Sequence, residues 1–247
     1  MIEMFSDPQF WVGLTQIILV NIVLSGDNAV VIALAARSLP PRRQAQTIIL
    51  GSVAAIVMRV ILTVVAVEML KWPWLKLIGA GLLLWIAVQL LLGEDDDGDG
   101  VKSSGNLMVA IRTILVADLV MSLDNVIGVA AAAKGNTTLL VLGLAISIPL
   151  IVFGSTIILK LMDRFPIIIT IGAALLGWVA GEMAVTDPAI KNWVDANANY
   201  LRTAAPLAGV VLVVAVGKWL AARNAAEMRA RPVVDLAAEN DRSSSSH

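Results

Sequence analysis

The chain has no cysteine and one histidine, His247, at its last position. Without cysteine there is no disulfide, no thiolate metal site and no thiol nucleophile, and a lone terminal imidazole removes histidine chemistry as well. Neither a Ser-His or Cys-His pair nor a histidine-rich hydrolytic metal site can be assembled, so the chain is not expected to be an enzyme. No prosthetic group is expected either, and any metal site must be built from oxygen. Charge is also scarce. Only 15% of the 247 residues are charged and 58% are hydrophobic, whereas soluble domains carry nearer 25% charged residues. With a mean hydropathy of +0.85, this is the composition of an integral membrane protein in a lipid bilayer. The formal net charge of -1 supplies no positive field for nucleic acid, which is excluded as a partner. One Tyr and four Phe are too few to line a retinal pocket around Lys218, which is read as a snorkelling lysine near the end of the last helix. The first nine residues carry Glu3 and Asp7 in place of a basic leader region. No small-residue cleavage site follows, so the first helix is expected to be retained.

What is present in quantity is long apolar sequence. About 20 apolar residues are needed to cross ~30 Å of hydrocarbon as a helix. Such spans can be placed at 9–35, 46–69, 73–92, 107–133, 138–161, 166–185 and 204–222, punctuated by Pro40-Pro41, Pro73, Gly135-Asn136, Pro166 and Pro188. Arg37, Arg42, Arg43, Lys102, Lys160, Arg164 and the basic residues after 217 fall on one set of alternate loops. The enrichment of cytoplasmic loops in Lys and Arg then puts the N-terminus outside the cell membrane and the C-terminus in the cytoplasm.

Two polar interruptions repeat: Ser25-Gly26-Asp27-Asn28-Ala29-Val30 and Ser122-Leu123-Asp124-Asn125-Val126-Ile127. Leu50-Gly51 echoes Leu142-Gly143. Pro73, Gly79, Trp85 and Gln89 echo Pro166, Gly172, Trp178 and Glu182 at one constant offset. Three helices therefore repeat three. An odd number of spans per repeat forces the second copy to enter from the opposite side, as in many secondary transporters. The expected fold is all-α and polytopic, with seven transmembrane helices in an inverted 3+3 repeat plus one extra C-terminal helix. Its parts are a first repeat over 1–93, an acidic cytoplasmic loop over 94–106, a second repeat over 107–187, an extracytoplasmic loop with the seventh helix over 188–222, and a polar cytoplasmic tail over 223–247.

An ionised side chain at the bilayer centre costs at least ~2.5 to 3.5 kcal/mol on insertion scales, which marks such residues as functional candidates. Asn21, Ser25 and Asn28 share one helical face through i, i+4, i+7, and Asp118, Ser122 and Asn125 share the matching face of the fourth helix. Asp27 and Asp124 lie about 100° off those stripes. Local unwinding at Ser25-Gly26-Asp27-Asn28, a weak helix-forming sequence, would swing Asp27 in and free carbonyls as further ligands. Carboxylates with amides and no softer donor suit a hard divalent cation, Mn, Mg or Ca. The candidate ligands are Asp27, Asn28, Asp124 and Asn125, with Asp118, Asn21, Ser25 and Ser122 nearby. The competing reading is that these side chains only bond packed helices together. Arg59, alone in mid-span, either pairs with a motif Asp as an internal counter-charge displaced by the metal, or pairs with Glu68 or backbone carbonyls and only braces the fold. Gln89 and Glu182 are read as rim or gate residues. Residues 94–105 begin like a calcium loop, with Asp95, Asp97, Asp99 and Gly100, but Asn106 stands where the closing Glu belongs. They are read as a solvated linker, with a low-affinity ion-gathering loop as the alternative, and the tail beyond Arg231 as disordered.

The stretches Asn21 to Pro40, Asp118 to Ala133 and Ser147 to Ser155 resemble the TerC family of membrane proteins, and the resemblance covers roughly residues 9–222. It implies manganese export from the cytoplasm, with Mn2+ as the substrate, and kinship with a wider superfamily of cation and amino-acid exporters of the LysE type built on inverted three-helix repeats. Many relatives carry an acid where this chain has Asn21, so the two halves are asymmetric in charge. A non-transporting scaffold or a metal or stress sensor stays open as the alternative, as does a homo-oligomeric assembly.

Overall fold

The computed structural model describes residues 8–69, 72–92, 107–133 and 136–230. The acidic loop, the tail after Ala230, Glu3, Asp7, and the side chains of Glu68 and Asp124 lie outside the described residues. Among the described residues the secondary structure is helical throughout. In chain order it comprises α1 (Pro8–Leu24), α2 (Gly26–Ala36), α3 (Pro41–Met69), α4 (Leu75–Leu92), α5 (Leu107–Ala133), α6 (Thr137–Arg164), α7 (Ile167–Val185), α8 (Lys191–Asn197) and α9 (Leu201–Ala230).

Five of these contain spans long and apolar enough to cross a bilayer: Pro41–Thr63, Leu75–Leu92, Thr138–Arg164, Ile167–Val185 and Leu201–Asn224. A sixth follows if α1 and α2, bent by 49° at their junction, form one crossing. The span expected at 107–133 coincides with α5, a single helix of 27 residues that carries Arg112, Asp118 and Asp124. It is not among those five or six.

Local chemistry accounts for the helix limits. Pro41 takes the first position of α3, where its missing N–H costs nothing, and the Pro40 carbonyl accepts from Arg43 and Gln44 at 2.8 and 3.0 Å. Asn136 caps α6 by accepting from the Leu139 N–H at 3.0 Å. The sequence places one helix over 9–35, but the structure divides it at Ser25, and the break is confined to that residue rather than extending through Asn28. Helix α9 begins before residue 204 and runs past 222, and the seven-residue α8 has no counterpart in the expected spans. Pro149 and Pro206 lie inside α6 and α9, as membrane helices tolerate. Several hydroxyls are satisfied within their own helix, including Ser147 to the Gly143 carbonyl at 3.0 Å and Thr156 to that of Val152 at 2.7 Å.

Helix α3 packs on α5, α6 packs on both α1 and α2, α4 packs on α7, and α9 covers α7 and α4. Two glycines permit the close crossings. A Cβ on Gly51 of α3 would collide with the Ile114 side chain of α5, and one on Gly143 of α6 with that of Ile17 on α1. Gly177 and Gly181 of α7 meet Ala205 and Gly209 of α9 backbone to backbone, the small-residue contact that brings membrane helices together. The buried core draws on every helix of this set, including Ile17, Leu34, Ile86, Ile114, Leu144, Leu176 and Val213. Large apolar side chains also point outward, Phe153 and Ile78 among them, as expected of surfaces in contact with hydrocarbon.

Candidate functional site

Four of the six polar positions selected by helical spacing, Asn21, Ser25, Asp118 and Ser122, come together around Arg59 and solvate it. Asn21 and Ser25 approach from α1 and its junction with α2, Asp118 and Ser122 from α5, and Arg59 from α3. All five are buried. The Arg59 guanidinium donates through Nε to Ser122 Oγ at 3.0 Å and through one terminal nitrogen to Asn21 Oδ1 and Ser25 Oγ at 2.9 and 2.8 Å. Its other terminal nitrogen forms the ion pair with Asp118 Oδ1. Each serine hydroxyl also donates to the polar residue one turn before it: Ser25 to Asn21 Oδ1 at 3.1 Å, Ser122 to Asp118 Oδ2 at 3.3 Å. The two halves thus repeat one device, a serine bonded to the residue four positions earlier, and one arginine bridges both copies. The charge asymmetry noted at Asn21 and Asp118 is matched by it. One carboxylate faces one guanidinium, and the cluster is neutral. Arg59 thus pairs with Asp118, on the polar face of the fourth expected helix, while the Glu68 side chain lies outside the described residues.

Asp27 and Asn28 stand at the start of α2. The Asp27 carboxylate is half-buried and accepts the Asn28 N–H at 2.8 Å, in the first turn where the helix dipole favours negative charge. It lies within electrostatic reach of Arg59 and Asp118. Asn28 is buried, and neither its Oδ1 nor its Nδ2 has a hydrogen-bond partner among the described residues; the same holds for Asn21 Nδ2. A narrow crevice lined by Asn28, Val31, Ile32, Ile114 and Asp118 separates α2 from α5. Asn125 lies half-buried on α5, and the Asp124 side chain lies outside the described residues. No cluster of three acidic or imidazole side chains forms among the described residues.

The electrostatics constrain what can enter. With an effective dielectric constant of 20, two unit charges 4 Å apart interact by roughly 4 kcal/mol, so a divalent ion that close to the guanidinium would meet about twice that repulsion. The same ion beside Asp118 with the guanidinium removed would meet attraction of like size. Within the cluster the guanidinium already supplies the positive charge that the Asp118 carboxylate faces.

Comparisons with known proteins place the chain among integral membrane proteins. The family described as "Integral membrane protein TerC family" matches residues 6–225. The chain belongs to the TerC family. Among similar proteins, the "Uncharacterized membrane protein YjbE" of Bacillus subtilis (strain 168) is 42% identical over 208 residues, covering 84% of this chain and 94% of that one. "Uncharacterized membrane protein YceF" of the same organism is 25% identical over 191 residues, 74% of each chain. The "UPF0053 inner membrane protein YoaE" of Escherichia coli (strain K12) is 25% identical over 193 residues, 70% of this chain and 37% of that protein. No solved structure matches. This TerC protein is accordingly an integral, multi-pass membrane protein.

Two charged residues outside the cluster were not picked out by the motifs. Asp187, buried in the link between α7 and α8, accepts backbone N–H groups from Trp74, Lys76 and Leu77 at 3.0, 3.0 and 3.2 Å and from Ala189 at 2.7 Å. Burial acts to raise its pKa, but these four donors outweigh it and hold the carboxyl below the usual range. Trp74 has φ 72°, a left-handed conformation that the carboxylate bond secures. Arg37 donates to the carbonyls of Leu90 and Leu91 at 3.1 and 3.3 Å. Helix α4 therefore carries an anion at its N-terminus and a cation at its C-terminus, as its dipole prefers. Gln89 and Glu182 are both exposed on their helices.

Proposed function

We propose that this TerC protein is a secondary transporter that exports Mn2+, or a related hard divalent cation, by alternating access around a midplane site. The observation that carries the proposal is the unpartnered buried amide of Asn28 facing the crevice it shares with Asp118. A buried polar group without a partner costs about 1 to 3 kcal/mol, and a hard cation would satisfy its oxygen. Asp27, Asn28, Asp124 and Asn125 are the proposed ligands, with Asp118, Asn21, Ser25 and Ser122 completing the donor set. Oxygen donors of this kind suit Mn2+, Mg2+ or Ca2+.

The proposed frame has seven spans, counting α5 and the bent α1–α2 pair. It is an inverted three-plus-three repeat with α9 added, N-terminus outside and C-terminus cytoplasmic. The helix pairing supports it: a two-fold relation that exchanges the repeats turns the α3–α5 contact into that of α6 with α1 and α2, and the Gly51–Ile114 crossing into Gly143–Ile17. Helix α9 packs on the third helix of each half. In transport, the repeats rock against each other so that the site faces the two sides of the membrane in turn.

The rival, a scaffold or sensor whose polar cluster only fixes packing, is separated by metal-dependent thermal stability in detergent. A bound substrate adds RT ln(1 + [L]/Kd), ~2.7 kcal/mol at a hundredfold excess over Kd. Mn2+ is expected to raise the unfolding temperature of the wild type and not that of Asp27→Ala/Asp124→Ala. No shift in the wild type with Mn2+, Mg2+ or Ca2+ would favour the scaffold, and a shift without transport would favour the sensor.

A further inference from the structure

Arg59 occupies the half of the proposed donor set formed by Asn21, Ser25, Asp118 and Ser122. Its guanidinium is bound to Asn21 Oδ1, Ser25 Oγ, Asp118 and Ser122 Oγ, and four of its five N–H donors are engaged. It comes from α3, whereas its acceptors sit on α1, the α1–α2 junction and α5, so it ties the polar faces of both repeats together. While the guanidinium holds these oxygens, they are not free for a second cation.

We propose that Arg59 is a tethered substitute for the substrate: it neutralises Asp118 in the empty carrier, and must withdraw from it for the divalent ion to bind. This rests on the metal-transport reading above. Its consequence is that Asp118 always faces a cation, the guanidinium in the empty carrier and the metal in the loaded one, so the empty return step that net transport requires does not carry Asp118 as a bare buried carboxylate. Removing the guanidinium is expected to improve metal binding and obstruct the return.

The test uses the full-length protein in liposomes, with net Mn2+ flux and Mn2+/Mn2+ isotope exchange measured in parallel; exchange needs no empty-carrier return. For Arg59→Gln, equilibrium Mn2+ binding is expected to tighten at least tenfold, exchange to persist, and net flux to fall at least tenfold. Arg59→Lys keeps the charge without the planar array of donors, and is expected to retain at least a tenth of wild-type net flux. A folded Arg59→Gln protein that binds Mn2+ no more tightly than wild type, or loses exchange and net flux together, would overturn the proposal. Should Arg59→Gln not fold, loss of net flux in folded Arg59→Lys would overturn it as well. A wild type that neither binds nor moves Mn2+, Mg2+ or Ca2+ removes the transport reading along with it, whereas normal wild-type transport beside an unaltered Arg59→Gln removes only the tethered-cation role.

Discussion

Among single residues, the Arg59–Asp118 pair carries the largest energetic consequence. Removing one partner of a buried ion pair costs about 3 to 5 kcal/mol because the remaining charge stays in low dielectric. Asp118→Asn is therefore expected to lower the unfolding temperature in detergent sharply, and adding Arg59→Gln to recover part of the loss. Equal, additive losses in the double variant would show the pair to be uncoupled. Most of this cluster was legible in the sequence. The i, i+4 spacing of Asn21 with Ser25 and of Asp118 with Ser122 placed each pair on one face, and the repeat implied that the faces meet. The partner of Arg59 was not legible, because a lone mid-span cation signals that it needs an anion without saying which. Asn28 fell on the predicted stripe, but its unsatisfied state depends on packing that spacing does not encode.

At the scale of elements, α4 shows how an apolar helix is fixed at both ends by residues distant in sequence. Asp187 reaches it across the second repeat and Arg37 across the first. Replacing Asp187 with Asn removes a charge that accepts four N–H bonds and complements the dipole, and is expected to destabilise by about 1 to 2 kcal/mol. The pH dependence has a definite sign. The folded carboxyl titrates below the unfolded one, whose pKa is about 3.9. Its contribution is present above that value and is lost as pH falls through the lower folded pKa. The difference in unfolding temperature between wild type and Asp187→Asn should be constant near neutrality and narrow as pH drops below about 4. A difference unchanged by acid would show that the carboxylate's charge is not what secures α4. Prolines at 73 and 188 revealed turns at both places, but not that one turn caps the other's helix. The break in the first span was also half-legible: weak helix formers marked the region, and the structure restarts the helix at Gly26, immediately after Ser25.

For the molecule as a whole, the repeat predicts paired responses. Gly51→Ala and Gly143→Ala each force a Cβ into an isoleucine of the opposite repeat, and each is expected to cost about 1 to 3 kcal/mol. Trimming Ile114 or Ile17 to Ala should relieve the matching substitution, read as unfolding temperature. Relief by the wrong isoleucine would contradict the pairing of α3 with α5 and of α6 with α1. Hydropathy and the duplicated motif made the membrane class and the long helices legible. The short α8 was not, since seven residues in a link give too little periodicity to read.

The decisive measurement is net Mn2+ flux in liposomes containing the purified protein, wild type beside Asp27→Ala/Asp124→Ala, with the fold of each checked in the same preparation. A metal carrier built around these residues moves Mn2+ down its gradient in the wild type and not in the folded double variant. Absence of flux in wild-type liposomes that respond to a control ionophore, or equal flux in both proteins, would contradict it.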